Sequence, residues 1–176
     1  MKAFAEARKK GEVPNSSIFF LGRENYLASY GNVSQYTLGK AQVVVDTSAD
    51  FAKSVTLLAV GPLLESACLA AETLKSKGMG AIVVHPSAIN SLDMTTLKQC
   101  LTKTGGRCVS IEDHRVVGGF GSLFSHACAE EQIPVTMKSL GIKDHFGRSA
   151  YSSQELYDQF GLSLRDIVEA AESLNS

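Results

Sequence analysis

The chain has 176 residues, of which 44% are hydrophobic and 20% charged, and this composition fits one globular domain with some residues left over. Its 17 basic and 18 acidic side chains give a formal net charge of −1, which excludes the strong positive field of a nucleic-acid or anionic-membrane binder. No apolar run forms the core of a signal peptide or reaches the roughly 18 residues of a membrane span, so we expect a cytoplasmic protein.

The first 40 residues predict too little regular structure for a domain. Residues 2–10 have a helical pattern, and residues 16–21 have the apolar composition of a strand. Residues 26–40 are polar, glycine-punctuated and without a clear period, which is typical of a linker that crosses a surface. One helix and one strand cannot bury a core, so we expect the residues before Tyr26 to pack poorly and to stay outside the main sheet.

From about Gly39 onward, strands and helices alternate. Apolar runs predict five strands, at residues 41–45, 55–60, 81–84, 108–111 and 135–140. Apolar residues at helical spacing predict five helices. The second begins after a cap at Ser91 or Asp93, and the others are at 63–78, 122–128, 153–160 and 163–174. The alternation predicts an α/β domain whose sheet is largely parallel and covered by helices on both faces.

The carboxyl end of the fourth strand is the first candidate for a functional site. Glu112, Asp113 and His114 follow the apolar run and are predicted to form a loop, and the glycine-rich residues 118–121 are predicted to open the next helix. Ligands of open α/β sheets bind at such strand ends, where a helix N-terminus offers free N–H groups. Glycines at this place also serve a tight turn and close helix packing, so a purely structural role stands beside the functional one.

The four cysteines lie far apart in the sequence, each at an apolar position of a predicted helix or strand. They are Cys68, Cys100, Cys108 and Cys128. Because no Cys-x-x-Cys pair occurs among them, we predict buried, reduced thiols.

Two of the four histidines could meet at one edge of the sheet. His85 ends one predicted strand and His114 ends the next, so their imidazoles could form a small polar site, although a structural role is more common for such a histidine. His126 and His145 have no partner at metal-ligand spacing. We therefore predict no metal site.

Six motifs, in this order and spacing, resemble the carboxyl-terminal domain of transketolase. They are Leu57-Leu58-Ala59-Val60-Gly61, Ser110-Ile111-Glu112-Asp113-His114, Gly118-Gly119-Phe120-Gly121-Ser122, Gly141-Ile142-Lys143-Asp144 with Gly147-Arg148-Ser149, Glu155-Leu156-Tyr157 and Phe160-Gly161-Leu162. The resemblance covers about residues 39–174. It extends to a superfamily that includes deoxyxylulose phosphate synthase and the β subunits of the 2-oxo acid dehydrogenases, within which His114 makes the chain most similar to transketolase.

The resemblance implies a fold and a domain division. Residues 39–176 are expected to form a three-layer α/β/α domain with a five-stranded, mostly parallel sheet, in which the strand at 41–45 is antiparallel at an edge. Residues 18–25 resemble the last strand of the family's pyrimidine-binding domain, so residues 1–25 are expected to be the tail of that domain and residues 26–38 the linker. Arg23 falls on the arginine that binds the sugar phosphate of the substrate in transketolases. A planar guanidinium suits that role, although an ordinary surface arginine is the alternative.

The resemblance also implies what this chain lacks. Family members hold thiamine diphosphate and a metal ion with a Gly-Asp-Gly motif and a later asparagine, and activate the cofactor with a glutamate early in the pyrimidine-binding domain. This sequence has no Gly-Asp-Gly, and it begins too late to include that glutamate. We therefore expect no catalytic residue and no cofactor bound by this chain alone, with thiamine diphosphate and Mg²⁺ held by a partner subunit or segment in the complete enzyme.

A homodimer contact is a further implication, because the family dimerises with help from this domain. We expect a two-fold contact through Glu112, Asp113 and His114 and through Gly118, Gly119, Phe120 and Gly121. A charged residue in place of Phe120 is expected to shift the chain toward monomer.

Three functions are compared on these grounds. The first is the carboxyl-terminal portion of a transketolase, as a fragment or as one half of a split enzyme, which with its partner transfers a two-carbon ketol unit between sugar phosphates of the pentose phosphate pathway. The corresponding part of a deoxyxylulose phosphate synthase or of a 2-oxo acid dehydrogenase β subunit is the alternative within the superfamily. The second is a free-standing interaction or regulatory domain that has kept the fold without the chemistry. The third is a nucleotide binder, which the absence of a phosphate fingerprint makes the weakest of the three.

Overall fold

The structure is a computed structural model that describes residues 2–12, 18–20, 36–144 and 146–175. The helices are α1 Lys2–Lys9, α2 Leu64–Ser76, α3 Met94–Lys103, α4 Phe120–Glu130, α5 Ser153–Phe160 and α6 Leu164–Ser173. The strands are β1 Gln42–Asp46, β2 Ser54–Ala59, β3 Gly80–His85, β4 Arg107–Arg115 and β5 Thr136–Ile142.

The five strands form one sheet in the order β1-β3-β2-β4-β5. Strand β1 runs antiparallel to β3 at one edge, and the pairs β2–β3, β2–β4 and β4–β5 are parallel. This is the predicted topology, including the antiparallel edge strand. The parallel strands need crossover connections, and the helices between them supply these.

Helices cover both faces of the sheet, and the side chains of the central strands alternate between two cores. In β2, Val55 and Leu57 point to the first core, which α2 and α6 complete, and Leu58 points to the second, which α3 and α4 complete. Every residue of β2 is buried, as expected for a parallel strand that has helices on both sides. The three-layer α/β/α fold class is therefore confirmed.

The caps that the sequence contains fix where the later helices begin. The Asp93 side chain caps α3 and accepts a hydrogen bond from Thr96 N at 3.4 Å, and Ser152 caps α5 in the same way. Ser163 caps α6 in a reciprocal capping box with Asp166. Helix α5 ends at Gly161, whose φ of 69° lies in the left-handed region that glycine adopts without strain.

Two predicted elements differ from the structure. Strand β4 does not end at Ile111 but continues to Arg115, so Glu112, Asp113 and His114 belong to the strand and not to a loop. The reason is that β5 also continues and pairs Ile142 with Arg115 after a break in register.

The strand predicted at 16–21 is the second difference. Its described residues, 18–20, are not in a strand, and Ile18 and Phe20 are exposed, because no partner strand within the described part of the chain pairs with them. Residues 2–12 and 18–20 contribute no strand to the five-stranded sheet. The predicted linker at 26–38 lies almost entirely outside the described residues.

All four cysteines are free thiols. Cys100, Cys108 and Cys128 are buried as predicted, and burial raises the pKa of their thiols to about 11, 12 and 11. Cys68 differs because it is only half-buried on α2. The pKa of its thiol is raised mainly by burial and to a smaller extent by the carboxylates of Glu65 and Glu72. Thiols with such pKa values are weak nucleophiles near neutral pH.

Across the described residues, none of the helices combines the length and apolar character that spanning a membrane requires.

Candidate functional site

The carboxyl end of β4 places three predicted site residues in two different environments. Glu112 is buried, with 2% of its surface exposed, whereas Asp113 and His114 are exposed. Strand alternation does not explain this difference, because Glu112 and His114 are two residues apart and share a face; Glu112 is buried because the N-terminus of α4 packs against its carboxylate. The three residues are therefore not one polar cluster.

The Glu112 carboxylate caps helix α4 from outside the helix. Its Oε2 accepts a hydrogen bond from Phe120 N at 2.7 Å, and its Oε1 accepts one from Gly121 N at 2.9 Å. The residue at the N-cap position itself, Gly119, has no side chain that could do this. A buried carboxylate needs such donors, and the positive end of a helix dipole stabilises its charge. The strand and the helix thus satisfy each other's buried polar groups.

The glycines of this segment make room for that carboxylate. A Cβ on Gly119 would collide with the Arg115 carbonyl oxygen and with the Glu112 carboxylate. A Cβ on Gly121 would lie 2.6 Å from Ser110 Oγ and 2.9 Å from Ser139 Oγ. Gly118 has a φ of 78°, which permits the turn before the helix. Close packing, the structural alternative considered from the sequence, therefore accounts for these glycines.

This arrangement uses the groups that a phosphate would need. The amides of Phe120 and Gly121 point at Glu112, and an anion bound there would have to replace a carboxylate of the same charge. The structure therefore gives no support to the nucleotide-binding hypothesis at this helix.

Phe120 lies in the interior of its own chain. Its side chain is 1% exposed in the second core and stacks on Phe124, with ring centroids 6.0 Å apart. The expectation that Phe120 contacts another subunit is corrected on these grounds, because a side chain packed in its own core is not available to a partner. In this region the exposed residues are Asp113, His114, Arg115, Val117 and Gly118.

The two histidines at strand ends do not form a site. His85 ends β3 and is half-buried, and burial lowers the pKa of its imidazole. His114 lies on β4, which β2 separates from β3, and its Nδ1 is 3.3 Å from the Arg115 carbonyl oxygen. His126 is exposed on α4, whereas His145 is outside the described residues. No group of three His, Cys, Asp or Glu side chains in the described part of the chain could hold a metal ion.

Arg23, the predicted phosphate-binding residue, lies outside the described residues. Its role stays a prediction.

Sequence reasoning missed the cap that Glu112 provides. The signal was present, because an acidic residue at the end of an apolar run precedes Gly118-Gly119-Phe120-Gly121 by a few positions. Sequence reasoning also missed the second role of Asp93. Besides capping α3, this residue accepts a hydrogen bond from Ala41 N, at 3.2 Å, with its second carboxylate oxygen. That contact spans 52 residues of sequence, and no local pattern indicates it.

The Glu112→Gln variant tests the cap. An amide keeps one acceptor oxygen but turns an N–H group toward a backbone N–H that is buried. Losing one charge-assisted hydrogen bond and leaving one buried donor unpaired should lower the free energy of unfolding by about 2–3 kcal/mol. Urea denaturation followed by circular dichroism measures the free energy of unfolding. The exposed neighbour offers the control, Asp113→Asn, which should stay within about 0.5 kcal/mol of the wild type. Equal stabilities for the two variants would contradict the assigned cap.

The sequence matches the model of a known protein family. A family model described as "Transketolase, C-terminal domain" matches residues 39–167. The matched range begins just before β1 and includes the whole sheet.

Curated relatives agree with that match. The chain is 34% identical over 137 residues to a protein of Clostridium sp. (strain MSTE9) named "6-deoxy-6-sulfo-D-fructose transketolase subunit SqwH", covering 78% of this chain and 40% of the relative. It is 32% identical over 146 residues to the transketolase of Rattus norvegicus, covering 82% of this chain and 22% of the relative. The chain thus spans less than half the length of these relatives.

A solved structure has the same fold. This structure, named "Split gene transketolase, inactive beta4 tetramer", matches with a TM-score of 0.74 at 28% sequence identity. The match covers 87% of this chain and 48% of that chain.

Proposed function

Because the chain belongs to the transketolase C-terminal domain family, we propose that it is the carboxyl-terminal portion of a thiamine diphosphate-dependent transketolase. The complete enzyme would transfer a two-carbon ketol unit from a ketose phosphate to an aldose phosphate, as in the pentose phosphate pathway. Family membership is the observation that carries this proposal. Four free thiols fit a reducing compartment, so the proposal includes the cytoplasm as its location.

The proposed contribution of this domain is assembly and not chemistry. At the carboxyl end of β4, where an open sheet would bind a ligand, the buried carboxylate of Glu112 is occupied with the N-terminus of α4. Asp113 and His114 are exposed beside it, and Val117 is 81% exposed at the following turn. This surface is available to a partner, and we retain it as the proposed two-fold contact.

The cofactor would be held elsewhere in the proposed enzyme. In the family the diphosphate is bound through a divalent metal, and this sequence has no Gly-Asp-Gly motif of the kind that holds that metal. We therefore assign this chain no step of the ketol transfer. The proposed partner is a subunit or segment that carries the cofactor-binding domains. The similar solved structure, which is named as a split-gene transketolase and a tetramer, supports a multi-chain assembly.

Reconstitution tests this function. The chain is mixed with a transketolase cofactor-binding subunit encoded in the same genome, with thiamine diphosphate and Mg²⁺ present, and ketol transfer is assayed. We expect activity from the mixture and none from either protein alone, because the cofactor site and the carboxyl-terminal domain would then be supplied by different chains. Failure of the two proteins to associate would favour the free-standing interaction domain instead.

Calorimetric titration of the isolated chain with thiamine diphosphate and Mg²⁺ is the companion measurement. This sequence has no Gly-Asp-Gly motif of the kind that holds the diphosphate and its metal in the family. A contact of Arg23 with a sugar phosphate, as a single exposed ion pair, would contribute about 0–1 kcal/mol, far below the roughly 4 kcal/mol that millimolar binding requires. We expect no measurable heat of binding. Micromolar affinity would mean that this chain has its own cofactor site, and the assembly role would be wrong.

A further inference from the structure

Asp93 makes contacts that helix capping does not explain. Its side chain is 3% exposed, and its two oxygens receive three hydrogen bonds. Two come from Thr96, at 3.4 Å from the backbone N and 2.8 Å from Oγ1, and these cap α3. The third comes from Ala41 N at 3.2 Å, and Lys40 Nζ lies 3.6 Å from the same carboxylate. Asp93 therefore joins α3 to the point where the main domain begins.

The backbone on both sides of this contact is also fixed. Lys40 N donates to the Thr37 carbonyl oxygen at 3.1 Å, which closes a tight turn, and Gly39 has the φ of 73° that such a turn requires. Immediately after Ala41, Gln42 pairs with His85 at the start of β1. The backbone N–H groups of residues 40 and 41 thus both have acceptors. We refer to residues 37–42 together with Asp93 as the corner.

Ala41 and Asp93 of the corner are buried, and hydrogen bonds keep the Asp93 carboxylate charged despite that burial. Ala41 is 8% exposed and belongs to the second core together with Leu97 and Leu101 of α3. Burial of Asp93 by itself raises the pKa of its carboxyl, but the hydrogen bonds from Thr96 and Ala41 and the charge of Lys40 outweigh it, and the net pKa is lowered. The carboxylate is consequently ionised at neutral pH, the form that accepts hydrogen bonds most strongly.

Beyond the corner, described residues on both sides of the turn line a cavity against the domain. It has a volume of about 560 Å³ and lies among Phe4, Tyr36 and Leu38 on one side and the loop of residues 87–90 on the other. The contacts of Asp93 with Ala41 and Lys40 hold the chain to the domain next to this cavity.

We propose that Asp93 is a positioning residue, whose carboxylate locks the corner and so fixes the direction in which the chain before Thr37 leaves the α/β domain. If those residues lead to a cofactor-binding domain, which rests on the proposed function, Asp93 holds that domain in one orientation. The lock itself does not depend on that function.

The Asp93→Ser variant separates the lock from the helix cap. Serine is as good an N-cap as aspartate, so α3 keeps its hydrogen bond to Thr96 N, but a single short hydroxyl cannot also reach Ala41 N and Lys40. Thr96→Val is the matched control, because it removes the hydroxyl that donates to Asp93 and leaves the contact with Ala41 in place.

Two readouts on the isolated chain test the proposal. Hydrogen exchange of the Ala41 amide should be about 10- to 100-fold faster in Asp93→Ser, the factor expected for losing a hydrogen bond to a charged acceptor. Trypsin should cut the Lys40–Ala41 bond faster by a similar factor, because Lys40 is 62% exposed but its peptide bond is held in the corner. Thr96→Val should change neither rate.

Wild-type exchange and cleavage rates in Asp93→Ser would overturn the proposal. Equal acceleration in Thr96→Val would overturn it too, because the effect would then belong to the capping of α3. Neither measurement involves a partner subunit. A failed reconstitution would therefore not contradict the role of Asp93, and a failed Asp93 test would not contradict the proposed function.

Discussion

Replacing Phe120 by aspartate is expected to unfold the domain and not to dissociate an assembly. The side chain is 1% exposed and stacks on Phe124 within the second core. Truncating a buried phenylalanine costs about 3–5 kcal/mol, and a buried, unpaired carboxylate adds several more, while a domain of this size is stable by only about 5–15 kcal/mol. Circular dichroism should show loss of the cooperative thermal transition at neutral pH.

Val117→Asp is the control for that experiment and a test of the proposed two-fold contact. Val117 lies three residues before Phe120 but is 81% exposed, so a charge there should leave the melting temperature close to that of the wild type. If the exposed surface near Asp113 and His114 forms the contact, sedimentation should show this variant shifted toward monomer. A Phe120→Asp protein that melts like the wild type would show that the assigned core position is wrong.

The Gly119→Ala substitution should lower the free energy of unfolding by about 2–4 kcal/mol, which is a large effect for a single methyl group. Its Cβ would collide with the Arg115 carbonyl oxygen, which is backbone and cannot rotate away, and with the Glu112 carboxylate. Relief of the collision would pull the carboxylate from the amide of Phe120, so packing and hydrogen bonding would be lost together. Urea denaturation measures the change in the free energy of unfolding.

Gly147→Ala provides the matched comparison. A Cβ at Gly147 would meet nothing within 4 Å, and its backbone is not in the left-handed region. This variant should be as stable as the wild type or slightly more so, since alanine restricts the unfolded chain. If the two alanine variants have the same stability, the close approach at Gly119 does not constrain the helix.

The fold could be predicted from the sequence because its central strands are buried on both faces. Runs such as residues 55–60 are apolar except for Thr56, and the helices between the strands have clear spacing and caps. Even the antiparallel edge strand was predictable, although from the resemblance to a family and not from the residues.

The candidate site could be predicted only in part, and Glu112 shows why. A charged residue after an apolar run normally marks the end of a strand, yet here it is buried because two backbone amides eight and nine residues later satisfy it. Phe120 was misplaced because its role in a two-fold contact came from the resemblance to the family and not from its own surroundings. In the structure the glycines on both sides bring the helix close to the sheet, and the ring is buried.

The span of the Asp93 contact has a consequence for the order of events as the protein is made. The bond between Ala41 and Asp93 closes a loop of 52 residues, whereas Glu112 reaches Phe120 over 8. The longer loop costs about 1.7 kcal/mol more chain entropy to close. At about 5–20 residues per second, Asp93 is synthesised roughly 3–10 s after Ala41. The residues before Ala41 are therefore synthesised several seconds before the carboxylate that we propose fixes their direction.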